Sequence, residues 1–141
     1  WYIDAWTSIY PNVDPASLPQ SSRSGLELGQ GMVEVPALIL VCLDISEERS
    51  TTPSLIYGAS IYPAVQNIML AARALGIGTV LTTIHRKHEK EIKDLLGIPT
   101  KVETVALIPL GYPGEGEHFG GSKRRPVDEV MSFDRWGNPI P

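Results

Sequence analysis

Two short stretches of this chain carry residue types that could hold a flat, phosphorylated ligand. The first comprises Leu81, Thr82 and Thr83, where a β-branched strand runs into a helix. A strand-to-helix turn presents free backbone N–H groups with a favourable dipole, and these groups could orient one edge of a planar ring. On the residues alone, the simpler interpretation is that Thr83 caps the helix that starts near His85; the two roles are compatible.

The second stretch is the basic cluster at 122–126, which reads Ser-Lys-Arg-Arg-Pro. Its Arg124 could grip a phosphate through two parallel hydrogen bonds, which a lysine cannot do. Lys123 and Arg125 add positive potential. The ordinary interpretation of three adjacent basic residues is a solvated loop, and without interleaved aromatic side chains they do not indicate nucleic-acid binding.

An amphipathic helix is predicted to lead into the first stretch. Ser60 is its candidate N-cap, Pro63 falls in the first turn, and Gly76 suits a left-handed helix end. Between them, apolar residues recur at three- and four-residue steps, which predicts one buried face. This stripe comprises Ile61, Ala64, Val65, Ile68, Met69, Ala72 and Leu75.

The elements around this helix are predicted from their apolar patterns. A strand at 78–83 precedes a helix at 85–96, which Gly97 ends. In that helix Glu89 and Lys93 form an exposed ion pair, and three residues face the core: Ile92, Leu95 and Leu96.

The rest of the chain divides into further predicted segments. Residues 1–10 have helical apolar spacing, whereas 11–31 is rich in Pro, Ser and Gly and reads as a long surface loop. The apolar runs at 35–43 and 102–110 are typical of strands buried on both faces. Cys42, inside the first run, is expected to be a small buried hydrophobe.

Composition bounds the possible functions. The 141 residues and the 43% hydrophobic content predict one globular domain, 1–141. A net charge of −4 excludes a global field that favours nucleic acid or an anionic membrane, and the apolar runs are too short to span a membrane. One cysteine excludes an intrachain disulfide, which fits a reducing, cytoplasmic location. Because the chain begins Trp-Tyr-Ile without methionine, we expect a missing N-terminal portion.

Four motifs in order resemble one family. AVQNIMLAARALGIGT, LLGIP, VALIPLGYP and RRPVDEVMSFDRW are similar to the C-terminal half to two-thirds of the flavin-dependent nitroreductase superfamily. The TVLTT strand end resembles most the branch that includes iodotyrosine deiodinase. The resemblance implies an α+β fold with a helix-flanked mixed sheet, an intertwined homodimer, FMN as cofactor and NAD(P)H as reductant. The N-terminal arginine motif of the family is absent from this sequence.

The resemblance also implies roles for named residues. Leu81, Thr82 and Thr83 would lie along the flavin ring near N5 and O4, and Arg124 would hold the FMN phosphate. No catalytic residue is expected, because the protein only positions the ring and sets its potential. No metal site is predicted, since His85, His88 and His118 lack further ligands at a recognised spacing.

The implied function is electron transfer from NAD(P)H to a small aromatic acceptor, such as a nitroaromatic, a quinone or a halogenated phenol. Two alternatives remain open at this point: a non-catalytic flavin-binding or structural dimer, and an enzyme that consumes reduced FMN. Phe133 and Trp136 in the tail favour a homodimer, since one short chain offers them little to pack against. The electron acceptor and the choice between NADH and NADPH do not follow from the sequence.

Overall fold

Three strands form the sheet on which the predicted site depends. The structure is a computed structural model that describes residues 2–44, 54–117, 119–120 and 124–140. The strands are β1 (Ala37–Asp44), β2 (Gly78–Thr79) and β3 (Val102–Gly111), in the order β1-β3-β2. Both pairings are antiparallel, so the sheet in the described ranges differs from the mixed sheet that the resemblance implied.

Helices account for most of the other regular structure. In the part of the chain that the structure describes, the α-helices are α1 (Tyr2–Ile9), α2 (Gln20–Gly31), α3 (Ser54–Ala74) and α4 (Glu89–Leu96). A 3₁₀ turn at Ile84–His88 precedes α4, so the helix predicted at 85–96 begins as 3₁₀ and continues as α. The predicted helix at 1–10 is confirmed by α1. Outside the described residues lie His118, Ser122 and Lys123.

The core lies where α3 meets the central strand β3. Val65 of α3 and Ala106 and Ile108 of β3 are fully buried and form one cluster. Partly buried hydrophobic residues complete it: Ile39, Val41, Ile68 and Met69. The predicted buried strand at 102–110 and the central part of the α3 stripe are therefore confirmed.

The predicted burial of β1 on both faces is wrong in this structure. Every side chain of β1 is exposed or half-buried, and Leu38 is 46% exposed; β1 is also an edge strand of the described sheet, paired only with β3. Cys42 is exposed and is not the buried hydrophobe that its apolar neighbours indicated. An apolar run alone cannot distinguish a central strand from an edge strand, because the pairing partners are distant in sequence.

The predicted surface loop at 11–31 is also wrong, because its second half forms α2. The face of α2 that meets α1 consists of small residues at helical spacing: Ser22, Gly25 and Gly29. A Cβ atom added at Gly29 would lie 2.9 Å from Tyr2 Cδ1, and one added at Gly25 would lie 3.3 Å from Trp6 Nε1. The glycines let the two helix backbones approach closely and do not mark a loop.

Helix α3 starts earlier than predicted. It begins at Ser54, so Ser60 is not its N-cap and Pro63 lies inside the helix. Gly76 has the predicted left-handed conformation, with φ of 76°. Leu75, the last residue of the predicted stripe, is 73% exposed because the helix ends before it can cover that side chain.

Helix α4 differs from its prediction in what it buries. Gly97 ends it with φ of 68°, as expected. Leu95 and Leu96 were predicted to face the core but are 82% and 58% exposed. Instead, the helix is attached through the charged Glu89 and Lys93, whose side chains are only 19% and 12% exposed and lie 3.2 Å apart.

Glu89 fastens α4 to an irregularity in β3. The register between β1 and β3 shifts between Val41 and Cys42, which leaves Val105 as an extra residue in β3. Beside this bulge, Glu89 Oε1 accepts hydrogen bonds from the Thr104 backbone N–H at 2.9 Å and from its hydroxyl at 2.7 Å. The carboxylate thus satisfies both the backbone N–H and the hydroxyl of Thr104 beside the bulge.

Candidate active site

The turn at 81–83 is held against the central strand by a pair of backbone hydrogen bonds. Thr82 N–H donates to Leu107 O at 3.0 Å, and Leu107 N–H donates to Thr82 O at 2.9 Å. Among the described residues, this bridge is the only pairing that continues the sheet beyond β2, so the strand predicted at 78–83 forms only at Gly78–Thr79 and at Thr82. The bridge fixes the position of the turn relative to the core.

The residues on either side of Thr82 present their amides away from β3. Successive peptide groups of an extended strand alternate in direction, so if Thr82 faces β3, the N–H groups of Leu81 and Thr83 face the open edge. Within the described residues, neither of these N–H groups donates a hydrogen bond. Two adjacent backbone donors at an open edge can bind acceptor atoms along one side of a planar ring.

Thr83 does not cap the following helix through its side chain. It occupies the N-cap position of the 3₁₀ turn, but its hydroxyl makes no capping hydrogen bond. The nearest equivalent comes from Thr82, whose Oγ1 lies 3.5 Å from Ile84 N. The capping interpretation of Thr83 is therefore wrong, and its exposed side chain is available to a ligand.

Helix α1 supports the turn from below. Tyr2 is 5% exposed, and its hydroxyl lies 3.2 Å from Thr82 Oγ1. The bond joins residues 80 apart in sequence. Tyr2 is therefore an ordinary core residue that also orients the threonine, and no local sequence signal could have predicted this contact.

His85 lies fully buried directly after the turn. The backbones of Thr104 and Thr82 lie close enough to favour its protonated form, yet neither ring nitrogen reaches hydrogen-bond geometry within the described chain. Burial outweighs these contacts and lowers the pKa of His85 below 6.5. The imidazole is thus neutral in the folded protein near pH 7 and packs between the turn and β3.

Arg124 lies on an exposed segment that follows the last strand. Among the described residues it makes no hydrogen bond or ion pair, so its guanidinium is available to an anion. Among the bonds of the described residues, no hydrogen bond joins it to Leu81, Thr82 or Thr83. These three residues form one turn, whereas the proximity of Arg124 to that turn stays a prediction.

A model of the nitroreductase family matches residues 10–112, which is most of the chain. The chain belongs to this family. The resemblance found in its motifs is thereby confirmed at the level of the family, and the closer relation to the iodotyrosine deiodinase branch stays a prediction.

Two curated relatives of this nitroreductase-family chain come from archaea. It is 32% identical over 110 residues to an Archaeoglobus fulgidus protein and 39% identical over 90 residues to one from Methanothermobacter thermautotrophicus. Both proteins are named "Putative NADH dehydrogenase/NAD(P)H nitroreductase". The matched regions span 62% and 45% of these relatives, so the chain corresponds to about half of their length.

Solved structures give the same fold. The chain superposes on a nitroreductase family protein from Clostridium novyi NT with a TM-score of 0.51 and 23% identity, over 98% of this chain and 68% of the other. It superposes on a BluB-like flavoprotein from Clostridium difficile 630 with a TM-score of 0.53 and 19% identity, over 94% and 70%. At these identities the similarity shows the fold.

In the described ranges, no three His, Cys, Asp or Glu side chains are grouped so that they could hold a metal ion. His88, one of the histidines considered for metal binding, lies 3.1 Å from Glu91 in a side-chain pair. Among the helices that the structure describes, none is long and apolar enough to cross a membrane.

Proposed function

We propose that this chain is part of an FMN-dependent oxidoreductase that passes electrons from NAD(P)H to a small aromatic acceptor, such as a nitroaromatic or a quinone. Membership of the nitroreductase family supports an oxidoreductase. The names of the archaeal relatives support NAD(P)H as donor, and the flavoprotein neighbour supports a flavin. When bound, FMN would supply the hydride-transfer chemistry that amino-acid side chains lack.

The observation that carries this proposal is the pair of open amides in the Thr82 turn. The flavin edge that contains O4 and N5 offers acceptor atoms, which the N–H groups of Leu81 and Thr83 can bind. Thr82 itself is engaged by Leu107 and Tyr2, so the two donors are held in place before any ligand arrives. Because these donors are already in position, they can stabilise negative charge that develops on a bound ring without any rearrangement of the protein.

Arg124 is proposed to bind the FMN phosphate. Its guanidinium is exposed and has no competing carboxylate among the described residues, which fits a bidentate contact with an anion. The loop that follows β3 contains Glu115 and Glu117, which would repel a phosphate. The basic cluster at 122–126 is therefore the favoured position for the phosphate of FMN. The protein would position the ring and its phosphate and exclude water, and we assign no catalytic residue.

The functional unit is proposed to be a homodimer. Trp136 is fully exposed and Phe133 is 48% exposed in the single chain, and β1 leaves one edge unpaired within the described sheet. Large exposed apolar side chains are characteristic of surfaces that a partner covers. A second copy of the chain would bury them.

Replacing Arg124 tests the cofactor assignment. We expect Arg124→Ala to raise the dissociation constant of FMN roughly 10- to 100-fold, because a charge-assisted hydrogen bond to phosphate contributes about 1.5–3 kcal/mol. The matched control is Arg125→Ala, which removes the neighbouring charge and should change the constant less than about threefold. FMN fluorescence quenching measures both constants, and NAD(P)H oxidation by the loaded protein measures activity. Equal affinities for the wild type and the Arg124 variant would refute the phosphate assignment.

A further inference from the structure

A groove lies between α3 and β2, and its lining does not include the residues of the Thr82 turn. We call it the Arg73 groove; it has a volume of about 320 Å³ and is lined by Gln66, Met69, Leu70, Arg73, Thr79 and Phe119 among others. The four α3 residues are spaced so that they share one helical face. Apolar side chains and groups that can form hydrogen bonds both line it.

The chain after β3 folds back to close one side of the groove. Phe119 Cε1 lies within van der Waals range of Gly78, 3.8 Å from the position that a Cβ atom would occupy there. The Phe119 ring consequently packs beside β2. Opposite it, the guanidinium carbon of Arg73 lies 3.5 Å from the centre of the Phe119 ring.

This stacking leaves the Arg73 charge without an anionic partner. Within the described residues, Arg73 forms no hydrogen bond and no ion pair. A guanidinium that stacks by its face keeps the N–H groups at its edge free, in the geometry that matches a carboxylate. Gln66 and Thr79 supply an amide and a hydroxyl in the same groove.

A purely structural role for Arg73 is the alternative. It stands in the last turn of α3, where a cation interacts favourably with the helix dipole. Its contact with Phe119 also stabilises the loop modestly. Neither effect requires an open groove with further polar groups, and neither predicts that the groove distinguishes anionic from neutral ligands.

We propose that the Arg73 groove binds the carboxylate of a small aromatic compound. Its volume is near the lower limit for small-molecule sites, which suits a single substituted ring and excludes a dinucleotide. Met69, Leu70 and Phe119 provide apolar contacts for the ring, and Arg73 binds the carboxylate. Thr79 stands two residues before Leu81, so the groove adjoins the proposed flavin turn along the chain.

As a statement about the electron acceptor, this inference rests on the proposed function and narrows its acceptor class to aromatic acids. As a statement about binding, the inference does not depend on the proposed function, since the chain forms the groove without flavin. Binding measured without flavin therefore separates the two. A protein that binds the acid but not FMN would contradict only the proposed function.

The test compares 4-nitrobenzoate with neutral 4-nitrobenzamide on the full chain, by calorimetry and by amide shifts of labelled protein. We expect the acid to bind at least roughly tenfold more tightly, with shifts at Thr79 and Phe119. Arg73→Gln should abolish this preference. Arg23→Gln, which removes an exposed arginine that does not line the groove, should preserve it.

Three results would overturn the inference. They are equal binding of acid and amide, an unchanged preference in Arg73→Gln, and displacement of 4-nitrobenzoate by an equal concentration of inorganic phosphate, which would show an oxyanion site indifferent to the ring. If Arg73→Gln does not fold by circular dichroism, Arg73→Lys provides the second variant. Lysine keeps the positive charge but lacks the paired N–H donors of the guanidinium, so we expect 4-nitrobenzoate to bind roughly threefold or more weakly.

Discussion

Replacing Glu89 by glutamine removes the charge that joins α4 to the bulge of β3. The carboxylate accepts two hydrogen bonds from Thr104 and lies 3.2 Å from the Lys93 ammonium and 3.5 Å from the Arg86 guanidinium. Partial burial alone would raise the pKa of Glu89. The Thr104 hydrogen bonds, followed by Lys93 and Arg86, outweigh burial and lower that pKa from 4.5 to about 2.

The size and sign of the effect follow from this pKa. A shift from 4.5 to about 2 corresponds to about 3 kcal/mol as an upper bound, which solvent screening reduces to about 1–2 kcal/mol. Because the folded protein holds the proton less tightly than the unfolded chain, this stability is present above pH 4.5 and is lost as the pH falls toward about 2. Glutamine cannot contribute it at any pH.

Urea unfolding at one fixed protein concentration, followed by tryptophan fluorescence, measures the effect. We expect Glu89→Gln to lower the free energy of unfolding by about 1–2 kcal/mol near neutral pH, and the difference from wild type to shrink in acid. The control is Glu91→Gln on the same helix, whose carboxylate is 73% exposed and should matter by less than about 0.5 kcal/mol. Equal losses in the two variants, or a Glu89 effect that persists unchanged in acid, would refute the reasoning.

Two further predictions concern helix packing and the buried histidine. Gly29→Ala should destabilise the protein by about 1–3 kcal/mol in the same unfolding assay, since the added Cβ would lie 2.9 Å from the buried Tyr2 ring. The control is Gly31→Ala, whose Cβ would have nothing within 4 Å and which should be neutral or stabilising. A destabilised Gly31 variant together with an unaffected Gly29 variant would contradict the close approach of α1 and α2. For His85, burial lowers the pKa below 6.5, so the unfolded chain takes up a proton first and stability should fall as the pH drops through 6.5. His85→Phe should flatten this part of the pH profile, and an unchanged profile would show that His85 does not cause it.

Local patterns were sufficient for several elements of the fold. Helix periodicity identified α1 and most of α3, and Gly76 and Gly97 marked helix ends through their left-handed conformations. The apolar run of β3 predicted a buried strand. These features depend on neighbours in sequence, which is why periodicity and turn chemistry predicted them.

The predictions that the structure contradicts concern features that depend on tertiary contacts. The composition of α2 predicted a loop, because glycines such as Gly25 and Gly29 disfavour a helix. In the structure these glycines make room for the side chains of Trp6 and Tyr2, a contact that the local sequence does not show. The exposure of Cys42 depends on what covers the faces of β1, which an apolar run does not show.

The candidate site was predictable only in part. The turn at Leu81, Thr82 and Thr83 was identified from the strand end and the family motifs. The hydrogen bonds that hold this turn could not be predicted, because they join Thr82 to Leu107 and Tyr2, which are distant in sequence. The sequence singled out His85 only as the start of a helix and as a possible metal ligand, and its burial after the turn could not be inferred from its neighbours.

The most direct test of the account is a crystal structure of the full chain soaked with FMN. The account predicts three fused rings against the turn, with ring acceptor atoms about 2.7–3.2 Å from the amide nitrogens of Leu81 and Thr83, and the phosphate on Arg124. FMN bound elsewhere on the chain, or a turn whose amides are covered by protein and leave no room for the ring, would contradict it.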